Sequence, residues 1–218
     1  MQGEKISIYL AADSTVRNYD STEYPQAGWG QFIADYLTPE VAVKNHAVGG
    51  KSSKSFITEG LFDPIIDAIE ENDYLFIQFG HNDSTKDRPE RYTEAYDDYK
   101  HYLQQYIDEA RAKKAIPVLV TPVGRLHHVS GEFLTDFGDY CNAMKEVAEA
   151  NDVFIIDLMK KSIEYLSSIG YDRAKELYMI TVNGTDCTHS TEKGAQEMAR
   201  LVSQEIKELN CSLSSYIK

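Results

Sequence analysis

Apolar positions along this chain fall into two alternating patterns. Five runs are short, nearly continuous and partly β-branched: Ile6–Ala11, Val41–Ala47, Tyr74–Gln78, Ile116–Val120 and Val153–Ile156. That is the composition of strands covered on both faces. Between and after them lie stretches whose apolar residues recur at helical spacing: Trp29–Leu37, Leu61–Glu71, Tyr92–Lys114, Phe137–Ala150 and Thr191–Leu209. Strands alternating with helices predict an α/β protein with a central, mainly five-stranded parallel sheet sandwiched by helices. Tyr92, Tyr96, Tyr99, Tyr102 and Tyr106 follow the helical period and read as a face packed on the sheet. The tyrosine-containing stretch Ile163–Met179 reads as helix plus loop, placed to form one wall of a cleft. No internal repeat, low-complexity linker or break in pattern divides the chain, so residues 1–218 read as a single domain.

Composition narrows the function. The net charge is −13 over 218 residues, and no Lys/Arg-dense stripe offsets it, which argues against nucleic acid as a partner. No apolar run approaches the roughly 18–20 residues that cross a bilayer, so no membrane partner is expected. No secretory leader is evident at the N-terminus, and Ile6–Ala12 is short for a signal core. The expectation is a cytoplasmic protein, or a secreted one whose signal peptide is absent from this chain. The cysteines, Cys141, Cys187 and Cys211, are odd in number and widely spaced, which favours reduced thiols. Cys187 and His189 lie near each other, but no second pair completes a zinc set. The sequence does not read out an oligomeric state.

The chemistry sits in four segments. Ala12-Asp13-Ser14-Thr15, Asn45-His46-Ala47-Val48-Gly49 and Gly80-His81-Asn82-Asp83 each end or follow a strand-like run. Asp186-Cys187-Thr188-His189 precedes the last helix. In open parallel sheets, ligands bind outside the carboxyl ends of the strands, so the first three should converge on one edge. Ser14 is the candidate nucleophile and needs a base. His189 is that base, and Asp186, three residues earlier, can orient its imidazole. The Ser14 and Gly49 amides and the Asn82 side chain are candidate donors to the oxyanion of a tetrahedral intermediate. Each segment alone has an ordinary structural role: a helix cap at Ser14, turns at Gly49 and Asn82, a cap at Asp186. The set is the kit for ester hydrolysis through a serine.

These residues, in this order, resemble the SGNH (GDSL-type) hydrolase superfamily over about Ile6 to Leu209. Its name residues would be Ser14, Gly49, Asn82 and His189, with Asp186 completing the triad. Asp13-Ser14-Thr15-Val16, Gly28-Trp29-Gly30, Gly50-Lys51-Ser52-Ser53-Lys54-Ser55-Phe56, Thr121-Pro122-Val123 and Asp186-Cys187-Thr188-His189 are similar, more narrowly, to the rhamnogalacturonan acetylesterase branch. The resemblance implies a flavodoxin-like three-layer α/β/α fold, no metal or other cofactor, and removal of acetyl groups from the pectin backbone. The substrate partner would be an acetylated polysaccharide or oligosaccharide.

Two departures matter. Ala12 replaces the glycine of the usual Gly-Asp-Ser opening, and Lys51 and Lys54 replace expected arginines. Lysine keeps charge but loses the bidentate fork. Lys51, Lys54, Arg125 and His127, with His128 beside them, all follow strand ends. They form a candidate basic rim for the carboxylates of a pectic chain. Trp29 reads as a buried ring, and His46 and His81 as supporting residues. The alternatives are an SGNH esterase on another acylated glycan, lipid or thioester, and an inactive carbohydrate-binding protein.

Overall fold

The computed structural model describes residues 6–218. Five strands, β1 (Ile6–Ala12), β2 (Val41–Asn45), β3 (Tyr74–Gln78), β4 (Ile116–Val120) and β5 (Phe154–Ile156), form one sheet. All its pairings are parallel and the order is β2-β1-β3-β4-β5, the flavodoxin-like order. Among the described residues, eight α-helices lie between and after the strands: α1 (Ser53–Thr58), α2 (Asp63–Ala68), α3 (Asp98–Ala112), α4 (Gly138–Asn151), α5 (Leu158–Ile169), α6 (Tyr171–Lys175), α7 (Ile180–Asn183) and α8 (Glu192–Glu208).

The strands alternate their side chains between two cores, as the period of 2 requires. Tyr9, Ala11, Leu75, Ile77 and Leu119 face one side, where Phe56, Phe62, Tyr99, Leu103, Tyr106 and Met144 from α1 to α4 cover them. Ile8, Leu10, Phe76, Val118, Val120 and Ile156 face the other, under Trp29, Leu158, Met198, Val202 and Ile206. The sheet is therefore the middle layer of an α/β/α sandwich. Among the described residues, no helix is long and apolar enough to cross a membrane.

Several element boundaries differ from those the periodicity predicts. Trp29–Leu37 forms two 3-10 turns, Trp29–Gln31 and Ile33–Tyr36, instead of one helix. The cause is close packing: a Cβ on Gly28 would stand 2.4 Å from Arg17 O, and one on Gly30 2.5 Å from Val16 O. The backbone there presses against the turn after β1 and has no room for an α-helix of ordinary residues. Leu61–Glu71 shortens to α2, with Pro64 in its first turn. The Tyr92 helix begins only at Asp98, so Tyr99 and Tyr106 are buried while Tyr96 is 48% exposed. Ile163–Met179 holds the end of α5, a break at Gly170 with φ 77°, and α6. The periodicity misses α1 and α7 and the first turn of α5. The N-cap of α1 is Ser52, which accepts from Ser55 N–H, and that of α5 is Asp157, which accepts from Lys160 N–H.

Candidate active site

The ends of β1, β2 and β3 deliver the three strand-linked segments to one edge, as the topology requires. Ser14 lies in the turn after β1, whose Asp13 carbonyl accepts the Val16 and Arg17 amides. Ala12 ends β1 with its side chain in the core, 1% exposed. The methyl group at the position of the usual glycine is thus absorbed by packing, and the Ser14 turn still closes.

The fourth segment is brought in by α8. Ser190–Thr191 pairs antiparallel with Gln26–Ala27, and Thr191 caps α8 by accepting from Gly194 N–H. This holds the preceding loop over Ser14. His189 Nε2 lies 3.0 Å from Ser14 Oγ, and His189 Nδ1 lies 2.8 Å from Asp186 Oδ2. A carboxylate only accepts, so Nδ1–H donates to Asp186 and Nε2 is left to accept from the serine hydroxyl. Asp186 Oδ1 accepts the Thr188 and His189 amides at 2.9 and 3.0 Å. Partial burial works to raise the Asp186 pKa, but these two amides and the imidazole outweigh it and hold the carboxyl below its ordinary range.

The oxyanion candidates are set up on the facing side. Among the described residues, neither the Ser14 nor the Gly49 N–H donates to a protein acceptor. Asn82 Nδ2 donates one hydrogen to Lys51 O at 2.9 Å, which fixes which way the amide faces. Its second hydrogen stays available. The arrangement can stabilise negative charge on an oxygen held against Ser14.

A buried layer supports these groups. Asp83 Oδ1 accepts from Ser53 N–H at 3.1 Å, Ser53 Oγ at 2.5 Å and Thr93 Oγ1 at 3.0 Å. It ties the turn of Asn82 to the start of α1, which follows Gly49-Gly50-Lys51. Burial raises its pKa; the bonds from Ser53 and Thr93 oppose that, and the value settles at about 6. Asp13 and His81 meet below Ser14, and Trp29 is a buried ring whose Nε1–H donates to Gln78 Oε1 at 2.8 Å. His46 stacks on Tyr9, with centroids 5.9 Å apart.

The predicted basic rim is divided among local partners. Lys51 is ion-paired with Glu59, and His127 Nδ1 lies 2.9 Å from Asp136 Oδ1. Lys54 Nζ donates to Pro89 O at 3.0 Å, and Arg125 Nε donates to Thr188 Oγ1 at 2.8 Å. Arg125 therefore braces the loop that carries Asp186 and His189, as does Leu126 N–H on Cys187 O at 2.9 Å. His128 packs against Phe133 and Tyr171. Three residues around the site escape the sequence reading. Tyr19 donates to Ser14 O at 2.8 Å, Arg17 pairs with Glu23, and Arg91 lies over Gly50. None belongs to a recognisable motif; each arrives from a loop whose path only the fold defines. Among the described residues, no three His, Cys, Asp or Glu side chains group as metal ligands. A cavity of about 890 Å³, lined by Ile6, Asp73 and Tyr216, lies at the amino ends of the strands and includes none of the site residues.

The profile of the GDSL-like lipase/acylhydrolase family matches residues 8–202. The chain is 51% identical over 211 residues to a probable rhamnogalacturonan acetylesterase, YesY, of Bacillus subtilis, covering 96% of each chain. It is 38% identical over 227 residues to the rhamnogalacturonan acetylesterase RhgT of the same organism, covering 100% of this chain and 96% of RhgT. The crystal structure of protein YxiM from Bacillus subtilis superimposes with a TM-score of 0.86 at 32% identity, over 96% of this chain and 58% of that longer one. The family match spans nearly all of the strands, helices and loops that build the site, and on it the chain belongs to the GDSL-like lipase/acylhydrolase family.

Proposed function

We propose that this protein is a serine acetylesterase that removes O-acetyl groups from rhamnogalacturonan. The observation that carries the chemistry is the unbroken hydrogen-bond chain Ser14–His189–Asp186, formed by residues 175 positions apart in sequence. The substrate reading is supported by the two Bacillus subtilis relatives named for that activity, each matched over at least 96% of its length.

In this mechanism His189 Nε2 takes the Ser14 proton as Oγ attacks the acetyl carbonyl. The C–O π bond opens, and its electron pair becomes the oxyanion held by the Ser14 and Gly49 amides and Asn82 Nδ2. Collapse breaks the ester bond to the sugar, whose oxygen leaves with the proton from His189. Water, deprotonated by the same imidazole, then attacks the acetyl-serine carbonyl; collapse breaks the bond to Oγ, which takes that proton back from His189, and acetate departs. Asp186 keeps the imidazole in the required tautomer and stabilises its protonated form throughout.

The test is acetate release from acetylated rhamnogalacturonan and from acetylxylan, with Ser14→Ala beside the wild type. Serine-dependent release chiefly from the pectic polymer is expected. Release from xylan or small esters alone would keep the triad and discard the pectic substrate. No release from any ester would favour a binding protein.

A further inference from the structure

We propose that Arg91 is a specificity-determining residue that recognises the carboxylate of a uronic acid in the acetylated chain. This inference rests on the reading of the protein as an esterase of an acidic glycan, and it names the residue that reads the acid.

Position is the first argument. Arg91 Nη1 lies 3.9 Å from where a Cβ on Gly50 would stand, and 3.4 Å from Gly50 O. Gly50 separates Gly49, whose amide is an oxyanion donor, from Lys51, whose carbonyl holds Asn82. A carboxylate bound by Arg91 would thus sit one residue away from both donors.

The second argument is the state of the guanidinium. Its Nε is withdrawn from solvent and has no hydrogen-bond partner. The contact to Gly50 O is longer than a normal N–H···O bond. Among the described residues no carboxylate pairs with Arg91, although the chain has 35 Asp and Glu against 22 Lys and Arg. Acid partners are plentiful, and Arg17 and Lys51, on either side of Gly49-Gly50, each have one. Arg91 is half-buried rather than enclosed, so its guanidinium stays open to a ligand's carboxylate.

Chemistry selects the ligand class. The planar guanidinium presents a fork that matches a carboxylate with two parallel bonds, which a neutral sugar cannot offer. The protein's overall negative charge repels a polyanion, so binding an acidic glycan needs such a local cation. Lys54 and Arg125 also lack a carboxylate partner, but Lys54 has no fork and Arg125 commits its Nε to Thr188; Arg91 keeps its fork beside Gly50.

The experiment compares acetylated rhamnogalacturonan oligosaccharides with their carboxylates free or methyl-esterified, using wild type, Arg91→Gln and Arg91→Lys. The wild type should favour the free acid. Arg91→Gln should reduce the free-acid to methyl-ester ratio of kcat/KM by about tenfold or more, mainly through KM, and weaken its salt dependence. Arg91→Lys should recover part of that ratio. If Arg91→Gln slows both substrates in the same proportion, or leaves the wild-type ratio intact, the inference is overturned while the acetylesterase reading stands. A wild type that hydrolyses small esters but releases nothing from either oligosaccharide would overturn both.

Discussion

Asp13 Oδ2 lies 3.4 Å from Nδ1 of His81, and both side chains are withdrawn from solvent. Asp13 precedes Ser14, the proposed nucleophile, and His81 precedes Asn82. The contact therefore joins the turn after β1 to the turn after β3, beside Ser14 and Asn82. It is a close polar contact without hydrogen-bond geometry, since Asp13 Oδ2 and both His81 nitrogens lack hydrogen-bond partners. Burial acts to raise the Asp13 pKa; the nearby His81 and the bonds from Thr15 N–H and Oγ1, at 2.9 and 2.8 Å, more than offset it and hold the carboxyl below its ordinary value. Thr15 Oγ1 in turn accepts from Gln78 Nε2 at 2.7 Å, and Gln78 accepts from Trp29. A continuous polar chain thus runs from the buried indole to the turn that carries Ser14.

Removing His81 should leave the buried Asp13 carboxylate facing an apolar side chain. His81→Leu is expected to cost about 1–3 kcal/mol in urea denaturation near neutral pH. Adding Asp13→Asn to it should restore part of that loss, because the amide carries no charge. Losses that simply add in the double variant would show that the two residues do not interact.

The triad predicts a distinctive kinetic pattern. Ser14→Ala should abolish measurable turnover of a small acetate ester. Asp186→Asn should lower kcat by about 10⁴-fold, because the amide favours the wrong imidazole tautomer. Near-full turnover by a correctly folded Ser14→Ala protein, judged by circular dichroism, would remove Ser14 from the mechanism.

Asn82→Ala tests the oxyanion site. It should lower kcat by about 100- to 1,000-fold with a smaller change in KM, since the donor acts where charge develops in the transition state. Lys51 O also loses its partner, so the variant's thermal midpoint should be recorded in parallel. A change confined to KM would assign Asn82 to substrate binding instead.

Asp83 predicts a pH signature in stability. Its pKa is about 6 in the fold, against an ordinary value of 3.8. Between these values the folded state binds more protons than the unfolded state, so this group's contribution to stability falls as pH rises and is constant above that window. Relative to Asp83→Asn, the wild type should lose up to about 3 kcal/mol between pH 4 and pH 7. The measurement is the pH dependence of denaturation midpoints for the two proteins. A pH-independent difference would mean that Asp83 titrates alike in both states.

The five parallel strands and the positions of Ser14, Gly49, Asn82, Asp186 and His189 at their ends and before the last helix were legible in the sequence. Continuous apolar runs report burial on both faces, and short-range spacing such as Asp186 to His189 is a local property of the chain. What tertiary structure decided is everything that depends on which loops meet. The closure of 175 positions between Ser14 and His189, the pairing of Asp13 with His81, and the approach of Arg91 to Gly50 arise because a parallel sheet gathers its strand ends on one edge. Packing also overrode local preference: Trp29–Leu37 has helical periodicity but becomes two 3-10 turns, because Gly28 and Gly30 must lie against the backbone of Val16 and Arg17. The rim shows the same division. Sequence locates Lys51, Lys54, Arg125 and His127 after strand ends, but a cation's availability depends on its neighbours, and only the folded chain shows Glu59 beside Lys51, Asp136 beside His127 and no carboxylate paired with Arg91 among the described residues.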